Sequence, residues 1–333
     1  MPEATAHGAD IVHAQTREGY QLPVIDVSNA AFAVPDDPQS VDALRRTFAE
    51  AERQRKRVPR FILNWMLRWM ALSSPLARAL FSSDEPVLGG VSTYAMKLGP
   101  ANLAAPFDTP LDRRLAASPG AMSMRIRLQQ LARLVAEALQ AHLSARPGAP
   151  LRLINIGGGT TIDSLNTLIL LHNAAPALLV RPIALHVLDP DSDGPEFGRR
   201  ALAALTEHGP LRGLAVEFVH VPYDWKQVST LEHLVNEGSS SNAIIGASSE
   251  GALFEYADDA TVLSNLHALR GAVAVGGTVT RDEPLTREFL TTSRFKLVPR
   301  GAEAFGKLAQ RAGFALSRTE SALLSDQVLL RPI

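Results

Sequence analysis

The chain has 333 residues, 46% of them hydrophobic and 20% charged, with a formal net charge of −1; this suits a soluble globular protein of one large domain or two ordinary ones. The charge balance argues against a nucleic-acid polyanion as the main partner, because such a partner requires a basic footprint. Cysteine is absent, which excludes disulfides, thiolate nucleophiles, zinc–thiolate sites and iron–sulfur clusters and fits a reducing compartment. The first residues, Met1-Pro-Glu-Ala-Thr-Ala-His-Gly8, lack the basic and apolar regions of a secretory signal, so a cytoplasmic location is expected.

Residues 1–40 are punctuated by Pro23, Pro35 and Pro38, and residues 22–27 read as a short edge strand or an extended arm across another domain. A helix is predicted from Ser40, with that serine as N-cap, into the basic run Arg53-Gln-Arg-Lys-Arg57, which reads as a solvated helix end. Residues 61–72 are the most apolar stretch of the first half. They are too few to span a bilayer and are interrupted by Arg68, although basic flanks also suit interfacial attachment. A buried helix is expected there, packed on the main domain or lining a homodimer interface, with Trp65 and Trp69 on one face. Glycine pairs in residues 87–100 point to a tightly shaped loop, and Tyr94 is the aromatic within it best placed to reach a site capped by the first half. Residues 122–143 form an amphipathic helix on their spacing. Ala145-Arg-Pro-Gly-Ala-Pro150 ends it, and the domain boundary is placed there: a mainly helical cap over 1–148 and a second domain over 149–333.

Beyond that linker, strand patterns alternate with helical ones. Strands are predicted at 151–156, 183–188, 214–221, 243–247, 272–278, 314–318 and 327–330, with helices at 162–172, 195–208, 259–270 and 302–312. Such alternation implies an α/β domain with a parallel sheet covered on both faces, and the short last connection implies a terminal antiparallel hairpin.

The centre of this domain is Leu151-Arg-Leu-Ile-Asn-Ile-Gly-Gly-Gly-Thr160. An apolar strand runs into Gly157, Gly158 and Gly159, and a helix follows at once. Glycine permits the tight turn and close approach of a ligand, and the helix offers free N–H groups. At the carboxyl edge, where open α/β sheets place their chemistry, the fourth strand is followed by Ser248, Ser249, Glu250, Glu255 and Tyr256. Glu250 suits a base or a carboxylate that binds an ammonium group, and Tyr256 suits cation–π contact. The serines lack a Gly-x-Ser-x-Gly elbow, and no histidine spacing resembles His-Glu-x-x-His, so neither a hydrolase triad nor a metal is assigned.

The glycine turn after the first strand, Asp189 ending the second, Asp224 after the third and the terminal hairpin together resemble a class I S-adenosylmethionine-dependent methyltransferase over residues 150–333. The resemblance implies a Rossmann-like core with a mainly parallel seven-stranded sheet, preceded here by a helical cap. It implies that Gly157, Gly158 and Gly159 pass under the methionine part of the cofactor. Asn155 stands where the family often has an acid, so either Asn155 or another residue positions that end. Asp189 would accept from the ribose hydroxyls, with Asp191 and Asp193 forming a turn. Asp224 would accept from the adenine amino group, Trp225 would cover the ring, and Ser248 joins the cofactor contacts.

The expected function is S-adenosylmethionine-dependent methyl transfer to a small molecule. The chain lacks the Asn-Pro-Pro-Tyr motif of amino-methylating nucleic-acid enzymes. A second reading, closer to the azetidine-2-carboxylate synthases, has the cofactor cyclise with release of methylthioadenosine, and Tyr94 and Tyr256 cover the cation. A third is a non-catalytic, methyltransferase-like partner subunit.

Overall fold

The computed structural model describes residues 11–57, 69–82, 90–293 and 295–333. A small antiparallel hairpin, β1 (His13–Gln15) and β2 (Gln21–Pro23), stands apart from the main sheet. The main sheet comprises β3 (Leu151–Ile156), β4 (Ile183–Leu188), β5 (Val216–Val221), β6 (Ile244–Ser249), β7 (Ala274–Thr280), β8 (Phe314–Ser321) and β9 (Ser325–Pro332). Its seven strands run in the order β5-β4-β3-β6-β7-β9-β8. The first five are parallel, and β9 pairs antiparallel with both β7 and β8. This is the expected Rossmann-like sheet with its terminal hairpin.

Central strands β6 and β7 are buried at every position, as parallel strands covered on both faces must be, whereas edge strand β5 is mostly half-buried. The strand order reverses between β3 and β6. Such a switch point opens a crevice at the carboxyl ends of the strands.

Helix Pro119–Ala145, capped by Ser118, lies on this sheet although it precedes the linker. Glycines in the strands make room for it. A β-carbon on Gly276 would lie 2.5 Å from Val135 and 2.8 Å from Leu131, and one on Gly246 would lie 3.1 Å from Leu139. One apolar cluster therefore joins Leu22, Tyr94 and Leu131 from the first half to Leu153, Leu168 and Phe197 from the second.

Residues after β2 form an arm, not an edge strand of the main sheet. Val27 N donates to Asn166 Oδ1 at 2.7 Å, and Asn166 Nδ2 donates to Ile25 O at 3.0 Å. The first long helix is Pro38–Lys56, and its N-cap is Asp37, which accepts from the Gln39 and Ser40 amides. Ser40 lies inside the first turn instead, donating its hydroxyl to Asp37 at 2.6 Å; Pro38 pre-sets the entry.

Within the segment expected to be a loop, Gly90–Lys97 is a helix, ended by Gly99 in the left-handed conformation at φ +78°. Trp69 is 60% exposed and Leu72 79% exposed, so neither is the core residue expected. Residues 61–68, with Trp65, and residues 87–89 lie outside the described residues. Among the described residues no helix is long and apolar enough to cross a membrane.

Candidate functional site

At the end of β3 the Gly157 amide donates to Leu188 O at 2.7 Å, and Gly157 and Gly159 take φ of +65° and +54°. The turn has no space for side chains, because the protein's own atoms press on it. A β-carbon on Gly157 would lie 2.6 Å from Ala252 Cβ and 3.4 Å from the Trp225 ring. One on Gly158 would lie 2.0 Å from Asn155 Oδ1, and one on Gly159 would lie 3.2 Å from Gly90 Cα. Gly194, in the first turn of helix Asp193–His208, completes the contact, since its β-carbon would lie 2.8 Å from the Gly159 carbonyl carbon. Three backbones thus meet where no side chain fits.

Asp189 braces this turn from β4. Its Oδ2 accepts from Gly159 N at 2.9 Å and its Oδ1 from Asp191 N at 3.0 Å, while burial pushes its carboxyl pKa up. The oxygens keep further lone pairs for other donors. Asp191 accepts in turn from Asp193 N at 3.2 Å and so acts as a turn former, whereas the Asp193 carboxylate pairs with Arg17 at 2.7 Å.

Beneath the turn lies a buried polar network. The Asn155 amide donates to Asp163 Oδ1 at 2.8 Å, Ser164 Oγ at 3.1 Å and Ser248 Oγ at 3.2 Å. Ser248 Oγ donates to Asp163 Oδ2 at 2.7 Å. Asn155 is fully buried, and among the described residues its Oδ1 has no hydrogen-bond partner. It therefore props the glycine turn from below. Asp163, whose carboxyl pKa is raised by burial, is a residue that sequence reasoning missed. Its one signal was an acid in the first helical turn after the glycines.

A second buried cluster stands beside it. Glu250 accepts from Arg127 Nε at 2.5 Å and from Lys97 Nζ. Glu255 accepts from Thr280 Oγ1 at 2.8 Å and from Arg127 Nη1 at 3.3 Å. Burial favours the neutral form of Glu250, yet Arg127 and Lys97 outweigh it and hold its carboxyl below the ordinary range. For Glu255 burial prevails and the carboxyl is raised. Glu250 does bind an ammonium group, but it is the protein's own Lys97. A carboxylate so paired is a poor base. Sequence reasoning gave neither Lys97 nor Arg127 a role at the site.

Tyr256 faces an apolar cavity of about 310 Å³ next to this cluster. Its hydroxyl pKa is pushed up to about 12 by burial and then by the charge of Glu255. Tyr94 lies elsewhere. It is 1% exposed, its hydroxyl accepts from Ile25 N at 2.9 Å and donates to Pro23 O at 2.5 Å, and its ring packs 4.7 Å from Phe197. With both hydrogen bonds committed, Tyr94 latches the N-terminal arm onto the core. Asp224 is exposed and accepts from Lys226 N at 3.0 Å, whereas Trp225 is half-buried against Gly157. The Trp225 carbonyl accepts from Asn265 Nδ2 at 2.6 Å.

The switch point thus gathers Asn155, the three glycines, Asp189, Trp225, Ser248 and Glu250. Tyr256 sits in the adjoining cavity, Asp224 on the surface and Tyr94 in the packing of the first half. Among the described residues no group of three or more His, Asp or Glu side chains is arranged to hold a metal ion.

No family model matches the chain, and no curated protein matches it. Solved structures with a similar course include the pyocyanin biosynthetic protein PhzM, at 16% identity over 65% of this chain and 58% of that one, with a TM-score of 0.39. Another is the O-methyltransferase NcsB1 from neocarzinostatin biosynthesis, at 16% identity over 68% of this chain and 62% of that one, with a TM-score of 0.36. A third is an O-methyltransferase family protein from Burkholderia thailandensis, at 14% identity over 68% and 61%, with a TM-score of 0.40. The match therefore spans 58–62% of the length of these three neighbours.

Proposed function

We propose that the protein uses S-adenosylmethionine to modify a small molecule, with methyl transfer as the reaction. The observation that carries this reading is the glycine turn, braced by Asp189 and walled by Trp225, at the point where the sheet order reverses. These groups fit a nucleoside-bearing ligand: a buried carboxylate with unused lone pairs, an indole face beside the turn, and the start of a helix. Gly157–Gly159, Asp189 and Trp225 would hold the cofactor, which supplies an electrophilic methyl group on a sulfonium.

The chain's own contribution in this reading is positioning. The Asn155–Asp163–Ser248 network fixes the turn, and the Lys97–Glu250–Arg127 cluster ties the first half to the sheet edge. Residues before 149 enclose the acceptor. Holding reactants in line contributes a large share of the acceleration in bimolecular transfers, so a free base at Glu250 is not required. Tyr256, with its raised pKa, stays protonated at neutral pH and keeps a hydroxyl proton to offer a bound acceptor.

The test is incubation of the purified protein with S-adenosylmethionine, alone and with panels of small acceptors, followed by mass spectrometry. Methyl transfer predicts S-adenosylhomocysteine only when an acceptor is present. Methylthioadenosine with azetidine-2-carboxylic acid, formed without any acceptor, would assign the cyclisation reaction instead. Absence of heat on titration with either S-adenosylmethionine or S-adenosylhomocysteine would remove both enzymatic readings and leave the partner-subunit one.

A further inference from the structure

The cavity beside Tyr256 lies one residue from the glycine turn. Gly251 lines it, while the next residue, Ala252, approaches Gly157. Its walls include Met96, Met124 and the stacked pair Phe289 and Phe295, whose ring centroids are 6.3 Å apart with planes 26° from parallel. At about 310 Å³ it is at the small end of ligand sites, matched to a flat molecule of two or three rings. Among the described residues, the charged groups lining it are Arg127 and Glu255.

These groups differ in what they have left to offer. Glu255 already accepts from Thr280 and Arg127, and burial drives it toward its neutral form. Behind it, both oxygens of Glu250 are taken by Lys97 and Arg127. Among the described residues the one lining carboxylate, Glu255, is already paired with Arg127, so an ammonium group there would have to share it with a cation already in place. The cluster holds two cations against two carboxylates, one of which is pushed toward neutrality. Among the described residues none hydrogen-bonds the hydroxyl of Tyr256, a residue that lines the cavity.

We propose that this cavity binds the acceptor, and that it selects a flat apolar molecule presenting one oxyanion or acidic hydroxyl to Arg127 and Tyr256. The proposal rests on the S-adenosylmethionine reading for what the bound molecule is used for, but not for its binding.

The probes are biphenyl-4-carboxylate and biphenyl-4-ylmethylammonium, which share a ring system and differ in charge. Each is titrated calorimetrically into the full chain, with and without S-adenosylhomocysteine. The carboxylate is expected to bind at least tenfold more tightly than the ammonium. Gly120→Trp provides the localising variant: a β-carbon there meets nothing nearer than Ser118 Oγ at 3.9 Å, and the residue lines the cavity. It should weaken carboxylate binding at least tenfold while leaving the melting temperature and the S-adenosylhomocysteine heat unchanged. Tyr256→Phe should weaken it about fivefold. Equal or tighter binding of the ammonium, no binding of the carboxylate, or indifference to Gly120→Trp would each overturn the proposal. Loss of the S-adenosylhomocysteine heat in the wild type would overturn only the cofactor reading, because the probe titrations do not depend on it.

Discussion

Two buried polar clusters sit side by side at the sheet edge and are built on opposite principles. The Asn155–Asp163–Ser248 network lies within the core, joins the glycine turn between β3 and the next helix to the neighbouring strand β6, and carries a single carboxylate. The Lys97–Glu250–Arg127–Glu255 cluster joins helix Gly90–Lys97, helix Pro119–Ala145 and the β6 loop, and it balances charge against charge. Burial raises Asp163 because its partners are amide and hydroxyl groups, which offset desolvation only in part. The same burial fails to raise Glu250, because two cations face it. The network therefore shapes a turn, whereas the cluster fastens two parts of the chain together.

The sharpest way to break this distinction is Glu250→Ala. Removing one partner strands Lys97 and leaves Arg127 only its longer contact with Glu255, an effect of about 3–5 kcal/mol for buried pairs. Urea denaturation should register a loss of that size, and a loss below about 1 kcal/mol would place the cluster among surface ion pairs. Next in size is Gly158→Ala, which drives a β-carbon into Asn155 Oδ1. Overpacking of this kind costs about 1–3 kcal/mol, and the cost should shrink when Asn155→Ser is added. Additive losses in the double variant would dissociate the prop from the turn.

The clusters should also respond to pH with opposite signs. Glu250, held below the ordinary carboxylate value, contributes stability that is complete above that value and is lost as pH falls through its folded value. Asp163, held above its ordinary value, makes the native state the better proton binder, so its effect is a loss of stability as pH rises from the ordinary value through the raised one. Asp163→Asn should therefore gain on the wild type as pH rises above about 4, read as the difference in denaturation midpoints. A difference that is constant with pH would contradict the raised carboxyl. The smallest effect is expected at Arg17→Ala. Its pairing with Asp193 at 2.7 Å leaves the side chains 67% and 44% exposed, so the midpoint should not move measurably.

The parts of this arrangement legible in the sequence were those written in short range. Apolar runs marked the parallel strands, and Gly157-Gly-Gly159 marked the turn, because strand periodicity and glycine placement act over a few residues. Helix Gly90–Lys97 was obscured because its flanking glycines read as a loop, although they serve close packing at one end and termination at the other. Helix Ser229–Ser240 escaped notice because it closes in Asn236-Glu-Gly-Ser-Ser240, where Asn236, Gly238 and the two serines form helix weakly and need the sheet beneath them. Least legible was the pairing of Lys97 with Glu250, 153 residues apart, which no local pattern encodes. The same distance hid what Glu250 binds.

The meeting of Gly90, Gly159 and Gly194 has a consequence for how this protein could diversify. The walls of the cavity are side chains such as Met96, Met124 and Phe289, which substitution can enlarge or reshape one at a time. The three glycines leave far less latitude: a methyl group on Gly194 would lie 2.8 Å from the Gly159 backbone, and one on Gly90 or Gly159 would press on backbone at 3.0 or 3.2 Å. A lineage of such chains would be expected to change what the cavity admits by altering its walls while inheriting the glycine contact between the two halves, with novelty confined to one side of a fixed seam.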